Sequence, residues 1–246
     1  MLTMNQRVTQ IQERIRQAAV LCGRNPDSIQ LVAVTKTVPP ATIRQAMDAG
    51  LRIFGESYLQ EAAAKINAIA DTRLSWHFIG HLQSNKAKFA VRCFDLIHSV
   101  DSTSLAEALN RQAGRIHKIQ NVLVQVNISG ESTKSGTSIK ETAALVYAIR
   151  EMKNLSVKGL MTIPPFFDQP EKARPYFKAL ADLKEGIQKQ SLPGNEMTEL
   201  SMGMTGDFEV AIEEGATLVR IGTAIFGERA LSCYCISVAD PVPFIP

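Results

Sequence analysis

The spacing of hydrophobic residues along this chain changes after its first helix. From residue 5 to about residue 22, apolar residues recur every three or four positions, as at Val8, Ile11, Ile15 and Ala18, which predicts one amphipathic helix. After it, short apolar runs alternate with longer segments of helical spacing. The runs predict eight strands buried on both faces, at residues 30–36, 52–56, 76–80, 96–100, 121–127, 157–163, 199–203 and 218–221.

Helical segments between these strands predict a parallel sheet, because parallel strands need crossover connections. Eight strands can close a (β/α)8 TIM-type barrel, which is typically about 250 residues long. An open doubly wound sheet is the alternative, but it usually has a glycine-rich turn after its first strand, where this chain has Lys36-Thr37-Val38-Pro39. The predicted fold class is α/β, a barrel with an extra N-terminal helix. Its other predicted helices include 41–49, 57–69, 104–116, 140–152, 173–189 and 207–214.

The whole pattern is predicted to form a single domain. That domain covers residues 1–229 and includes the N-terminal helix at about 5–22, with no linker inside it. Residues 230–246 are predicted to be an irregular tail, because three of the last six residues are proline.

Composition narrows the class of protein. Of the 246 residues, 45% are hydrophobic and 21% charged, which allows a full core. The net charge of +3 is small and the basic residues are scattered, so nucleic acid is not expected as a partner. No apolar run has the length of a membrane span, and the first 22 residues lack the apolar stretch of a secretory signal.

The four cysteines lack zinc-type spacing, since Cys233 and Cys235 are separated by one residue. Cys22 continues the apolar stripe of the first helix and is predicted to be buried. These features predict no metal site and a reducing cytoplasm.

Lys36 ends the first predicted strand and is the leading chemical candidate. A lysine at the mouth of a buried strand loses part of its solvation, which lowers the pKa of an amine and lets it form a Schiff base with a carbonyl. The alternative is a lysine that caps the strand and points into water.

The ends of strands seven and eight predict an anion site. Barrel phosphate sites commonly form there, with glycines that let the backbone approach and hydroxyls that donate. Ser201, Gly203, Gly222 and Thr223 fit those roles, although ordinary loop glycines and capping hydroxyls would look the same.

Arg220 alternates with Val219 and Ile221 and is predicted to face the barrel interior. There it either pairs with a core carboxylate such as Glu56 or Glu199, or donates to a ring nitrogen or bound anion.

Two histidines flank the third strand. Alternation places His77 and His81 on one face unless Gly80 disturbs the register, and a hydrogen-bonded structural role is the commoner one for such residues. No acid–base dyad or nucleophile elbow is recognisable, so no catalytic residue is predicted.

Several of these segments together resemble one family. The chain resembles the pyridoxal-phosphate homeostasis proteins in the run from Trp76 to Lys86 and in the segment 200–207, which contains the Ser201–Met204 run. The other matching segments are 31–36, 54–61, 98–101, 124–127 with 134–136, 159–164 and 219–229. The proteins of this family are single-domain relatives of the N-terminal barrel of alanine racemase. The resemblance spans nearly the whole chain up to residue 229.

The resemblance implies that Lys36 carries pyridoxal 5′-phosphate (PLP) as an internal aldimine. It implies that Ser201, Gly203, Gly222 and Thr223 surround the phosphate, and that Arg220 lies near the pyridine nitrogen. The family usually has asparagine where this chain has Ser57, so the side-chain contact near the ring is predicted to be shorter or bridged by water. Nothing is implied for the residues after 229.

The same resemblance implies a role in PLP homeostasis and in amino-acid and keto-acid balance. Arginine is a permanent hydrogen-bond donor and cannot accept the proton of a pyridinium. The ring nitrogen beside Arg220 would therefore stay unprotonated, and an unprotonated ring is a weak electron sink. A carrier without robust turnover is therefore expected. It is predicted to be a monomer, and PLP-requiring apo-enzymes are the partners expected to receive the cofactor. The alternatives are a low-activity racemase or lyase using His81, and an aldolase-like barrel in which Lys36 binds a sugar directly.

Overall fold

Eight parallel strands close into a barrel in chain order, with the last strand hydrogen-bonded to the first. The structure is a computed structural model and describes residues 2–131, 133–190 and 197–227. It confirms the predicted TIM-type fold. The strands are β1 (Gln30–Val34), β2 (Ile53–Glu56), β3 (Ser75–Phe78), β4 (Leu96–Val100), β5 (Gln120–Gln125), β6 (Leu155–Met161), β7 (Glu199–Ser201) and β8 (Leu218–Ile221).

Helices surround the barrel, and all seven predicted segments are helical within a few residues at each end. Two further short helices, of seven and four residues, are not among the predicted segments. The helices are α1 (Met4–Leu21), α2 (Pro40–Asp48), α3 (Leu59–Ile69), α4 (Ala87–Cys93), α5 (Thr103–Arg115), α6 (Ile139–Arg150), α7 (Arg174–Lys189), α8 (Phe208–Glu213) and α9 (Thr223–Phe226).

Helix α1 covers the seam between β8 and β1. It packs on α2, α8 and α9, because α9 is a single turn and leaves the outside of the last strand uncovered. A capping box between Thr3 and Gln6 fixes its start. Just after it, Arg24 donates to the carbonyls of Ile212 and Ala216 at 2.7 and 2.8 Å, at the C-terminal end of α8. The extra helix is therefore an integral part of the barrel wall.

The outward side chains of the strands form the main core with the helices, whereas the barrel interior is smaller and mixed. Val219 and Ile221 belong to the outer core and Leu218 to the interior, so Arg220 faces inward as predicted. The apolar side chains of the interior cluster are Val32, Leu96, Leu123, Met161 and Leu218, with Ile53 packed against them.

Five strands end two residues before their predicted ends. They are β1, β3, β5, β6 and β7. In all of them except β1, which is followed by Thr35 and Lys36, one of the two residues after the strand is apolar. Lys36 consequently lies in a turn beyond β1. In each of these five cases, the last two residues of the predicted strand belong instead to a loop at the C-terminal face, where barrel sites form.

The prediction for Cys22 is wrong. Cys22 is exposed, not buried, because α1 ends at Leu21 and the chain turns there. No group of three metal-ligating side chains lies together within the described ranges. The helices found in those ranges include none with the length and hydropathy needed to cross a membrane. The predicted tail, residues 230–246, with Cys233 and Cys235, lies outside the described residues.

Candidate functional site

The lysine predicted to be reactive lies in a tight turn at the C-terminal mouth. Lys36 is half-buried, and the turn is closed by a hydrogen bond of 2.9 Å from the Val38 amide to the Thr35 carbonyl. Thr37 has a φ of 63°, a left-handed conformation that is uncommon for a β-branched residue. The Thr37 amide donates to Glu61 Oε1 at 2.5 Å, which holds the strained turn against α3.

A buried ion cluster lies directly behind that turn. Lys65 Nζ contacts Glu56 Oε1 at 2.7 Å, Glu61 Oε1 at 2.6 Å and the Thr35 carbonyl at 2.5 Å. Burial raises the pKa of Glu56 above its usual value, and the Lys65 charge opposes that rise. The other oxygen of Glu56, Oε2, is buried without a partner among the described residues. The cluster ties the end of β1, the end of β2 and α3 together beneath Lys36.

Arg220 is buried in the barrel and has no carboxylate in hydrogen-bond contact within the described ranges. Its Nη1 donates to Ser201 Oγ at 2.7 Å and its Nη2 to the Thr162 carbonyl at 2.9 Å. The alternative of a structural pair with Glu56 or Glu199 is therefore wrong. Glu56 is bound to Lys65, and Glu199 accepts from the hydroxyl of Thr217.

The guanidinium of Arg220 keeps unused donors. Two of its five N–H groups are bonded as described, and the other three have no partner in the described part of the chain. Burial lowers its pKa to about 10, and the nearby Asp207 opposes that change. Arg220 therefore remains a cation at neutral pH, with donors available to a ligand.

Two histidines extend this polar arrangement across the barrel. Ser201 Oγ lies 2.8 Å from His98 Nδ1, and His98 Nε2 lies 3.1 Å from His77 Nδ1. His77 Nε2 in turn lies 3.2 Å from Ser75 Oγ. A phosphate contact from Ser201 stays a prediction, since its hydroxyl is bonded to Arg220 and His98 here.

The loops after β7 and β8 meet, as the anion-site prediction requires. The Arg220 amide donates to the Gly203 carbonyl at 3.0 Å, and the hydroxyls of Thr223 and Thr205 are 3.1 Å apart. Gly203 has a φ of 89°, and a Cβ there would lie 2.6 Å from the Cβ of Ala211, so no larger residue fits.

Gly222 lies between β8 and the single turn α9. Its carbonyl accepts hydrogen bonds from the amides of Ile225 and Phe226, at 3.0 and 2.9 Å. Together with Gly203 and the paired threonines, it forms a glycine and hydroxyl border at this side of the mouth.

The loops after β2 and β3 form another side of the mouth. Ser57 is half-buried, and its backbone lies so close to Gly80 that a Cβ on Gly80 would lie 2.2 Å from the Ser57 carbonyl oxygen. His81 is exposed, 3.3 Å from Ser135 Oγ and 4.0 Å from Asp101. It does not share a face with the interior His77, because β3 ends at Phe78 and alternation stops there.

Sequence reasoning gave no role to His98 or Lys65. His98 lies inward within an entirely buried strand, and a lone histidine in the apolar run Leu96–Val100 was the available signal. Lys65 occupies the buried face of α3, three residues after the buried Ala62, so a charged residue on an apolar stripe marked it.

The chain is similar to known proteins in both sequence and fold. The model of the alanine racemase N-terminal domain matches residues 7–230. A pyridoxal phosphate homeostasis protein of Aquifex aeolicus is 44% identical over 227 residues, covering 91% of this chain and 97% of that protein. PipY of Synechococcus elongatus, solved with PLP bound, is 40% identical, with a TM-score of 0.77 over 88% of this chain and all of that one. The alanine racemase of Corynebacterium glutamicum shares the fold, at 17% identity and a TM-score of 0.66, over 89% of this chain and 61% of its own.

Proposed function

The chain belongs to the pyridoxal phosphate homeostasis protein family, and we propose that it binds PLP at the C-terminal mouth of the barrel without robust catalytic turnover. Family membership rests on the curated relative that is 44% identical over nearly its whole length and on the racemase-domain match. A close structural relative was solved with the same cofactor bound.

The observation that carries the proposal is the fit of Arg220 to a ring nitrogen. It is a buried cation, 4% exposed, with three N–H groups unused among the described residues, at the inner end of a site whose rim carries an amine. Such donors need an acceptor, because leaving a buried polar group unpaired costs about 1–3 kcal/mol. A pyridine nitrogen is an acceptor of suitable size and polarity.

The remaining predicted residues fit the other parts of the cofactor. We propose that Lys36 holds it as a Schiff base, that Gly203, Gly222 and Thr223 surround its phosphate, and that Ser57 lies beside its ring. Ser201 contributes by accepting from Arg220, and its predicted phosphate contact would require its hydroxyl hydrogen to turn away from His98.

Bound PLP supplies an electron sink for amino-acid chemistry, and this chain weakens that sink. Arg220 is a permanent donor, so it stabilises an unprotonated pyridine nitrogen. We therefore propose a carrier role in PLP homeostasis and delivery, with effects on amino-acid and keto-acid balance and with PLP-requiring apo-enzymes as recipients. A monomer in a reducing cytoplasm fits that role; Cys22 and Cys93 are free thiols in the described ranges.

The test is the absorbance spectrum of the purified protein with and without added PLP. We expect a near-visible band in the wild type, loss or shift of that band in Lys36→Ala, and no change in Lys88→Ala, a surface lysine of α4. Borohydride reduction followed by peptide mass analysis should place the cofactor on Lys36. Absence of any band after PLP addition would overturn the proposal.

The same samples discriminate the alternatives. A racemase or lyase needs an acid–base group near the substrate, and His81 with its neighbour Asp101 at the mouth is the candidate. Amino-acid turnover lost in His81→Ala would support that enzyme over the carrier. If borohydride traps an adduct on Lys36 only after a phosphorylated sugar is added, the result would support the aldolase-like alternative.

A further inference from the structure

A chain of buried polar side chains runs through the barrel from Arg220 to the opposite mouth. It passes from Arg220 to Ser201, then to His98, His77 and Ser75, with successive separations of 2.7, 2.8, 3.1 and 3.2 Å. Ser201 is on β7 and His98 is on β4, three strands away around the barrel, so the chain crosses the barrel interior.

The inner histidine is completely enclosed and the outer one nearly so. His98 is 0% exposed and His77 5% exposed. At the far end, Ser75 and His77 line a cavity of about 360 Å³ among the N-terminal ends of the strands, together with Asp95 and Lys158. The polar chain therefore joins the base of the cofactor site to a second surface of the molecule.

The donors along this chain can be ordered from chemistry. Arginine only donates, so Ser201 Oγ accepts from Arg220 Nη1. The Ser201 hydroxyl hydrogen then needs an acceptor, and within the described ranges His98 Nδ1 is the one it reaches. That assigns the ring proton of His98 to Nε2, which donates to His77 Nδ1, and leaves His77 with its proton on Nε2 toward Ser75.

The reverse order is less well satisfied. If His98 Nδ1 donated to Ser201, that oxygen would accept twice and its own hydrogen would have no acceptor among the described residues. Both rings are neutral in either order, because burial lowers the pKa of His77 to about 4 and that of His98 well below its ordinary value, with His77 and Arg220 adding to the effect on His98. Asp95 faces His77 and opposes its shift.

We propose that His98, supported by His77, is a positioning residue for Arg220: it holds the Ser201 hydroxyl as the acceptor that aims the guanidinium at its ligand. The inference rests on the proposed function for the identity of that ligand, a PLP ring nitrogen, but the hydrogen-bond order belongs to the protein alone. Arg220 has no carboxylate to orient it within the described ranges, so Ser201 and the Thr162 carbonyl are its two anchors.

The variants His98→Asn and His98→Leu form a matched pair. The side-chain amide of asparagine reaches about the position of Nδ1 and can still accept from Ser201, whereas leucine of similar size cannot. We expect PLP affinity to fall about tenfold or more in His98→Leu, with a shifted near-visible band, and to remain within about threefold of wild type in His98→Asn. Equal binding by the wild type, His98→Leu and His98→Asn would overturn the proposal.

A second measurement needs no cofactor. Imidazole nitrogen chemical shifts of the cofactor-free wild type at neutral pH should show both His98 and His77 protonated on Nε2. Protonation of either ring on Nδ1, or a charged ring, would overturn the proposed order even if PLP binds. If the wild type binds no PLP but both rings carry the Nε2 proton, the proposed function fails while the order of the hydrogen-bond chain stands.

Discussion

At the scale of single residues, the site depends on charges buried behind it. Lys65 contacts two carboxylates, Glu56 and Glu61, and donates to the carbonyl of Thr35, just before Lys36. Such a residue contributes little net stability as part of an intact pair, but its removal leaves buried charge without compensation. Its effect on the Lys36 turn is therefore indirect, through the position of Thr35 and Glu61.

Replacement of Lys65 by methionine should be strongly destabilising. We expect Lys65→Met to lower the free energy of unfolding by about 3–5 kcal/mol, measured by urea denaturation, because Glu56 would be left buried without a cation. Adding Glu56→Gln to that variant should recover part of the loss. Lys189→Met removes the exposed ion pair with Glu185 and should change stability little. A loss in Lys65→Met no larger than in Lys189→Met would contradict this view.

The sequence predicted the orientation of Arg220 but not its hydrogen-bond partners. Arg220 was correctly predicted to face inward, since its apolar neighbours fixed the alternation. The partners of Arg220 were not predictable, because Ser201 on β7 and Thr162 just after β6 reach it only through the stagger that barrel closure imposes on neighbouring strands.

At the scale of elements, β3 and β4 each place one neutral histidine in the interior. In the unfolded chain these rings have ordinary pKa values near 6.5, and the folded protein lowers that of His77 to about 4. Between these values the unfolded chain binds protons that the folded protein excludes. Stability contributed by the pair is therefore present above pH 6.5 and is lost as the pH falls toward 4.

The free energy of unfolding should accordingly decrease on acidification through this window. For His77 the expected slope is about 1.4 kcal/mol per pH unit. Urea unfolding at a series of pH values from 7 to 4.5 measures it, and a double variant His77→Gln with His98→Asn provides the comparison. Identical slopes in the wild type and double variant would show that the pair does not titrate in this way.

The strands also show where sequence patterns lose information. All eight were predicted in the right order, yet five were drawn two residues too long at their C-terminal ends. Hydrophobicity continues past the ends, as at Ile79 and Val126, whereas regular strand pairing gives way to isolated backbone hydrogen bonds, such as that from the Ile79 amide to the Glu56 carbonyl. Lys36 and Gly203 are among the residues released from the sheet in this way.

At the scale of the whole molecule, α1 takes the position that a full final helix would occupy. Its buried residues, which include Val8, Ile11 and Ile15, face the outer core. We expect Ile15→Ala to lower the free energy of unfolding by about 2–5 kcal/mol, by lost burial and a residual cavity. Leu21, at the end of the same helix, is 85% exposed, and Leu21→Ala should have little effect in the same denaturation experiment. A small effect in both would mean that α1 is dispensable.

The position of α1 also has a consequence for synthesis on the ribosome. Arg14 of this helix pairs with Glu209, 195 residues further along, and β1 completes its pairing only with β8. Helix α1 and strand β1 are therefore synthesised long before α8 and β8, and an apolar face and a strand edge are exposed until those partners are made. Such long-range closure slows folding and invites aggregation, so the nascent chain should depend on chaperone protection until β8 has been made.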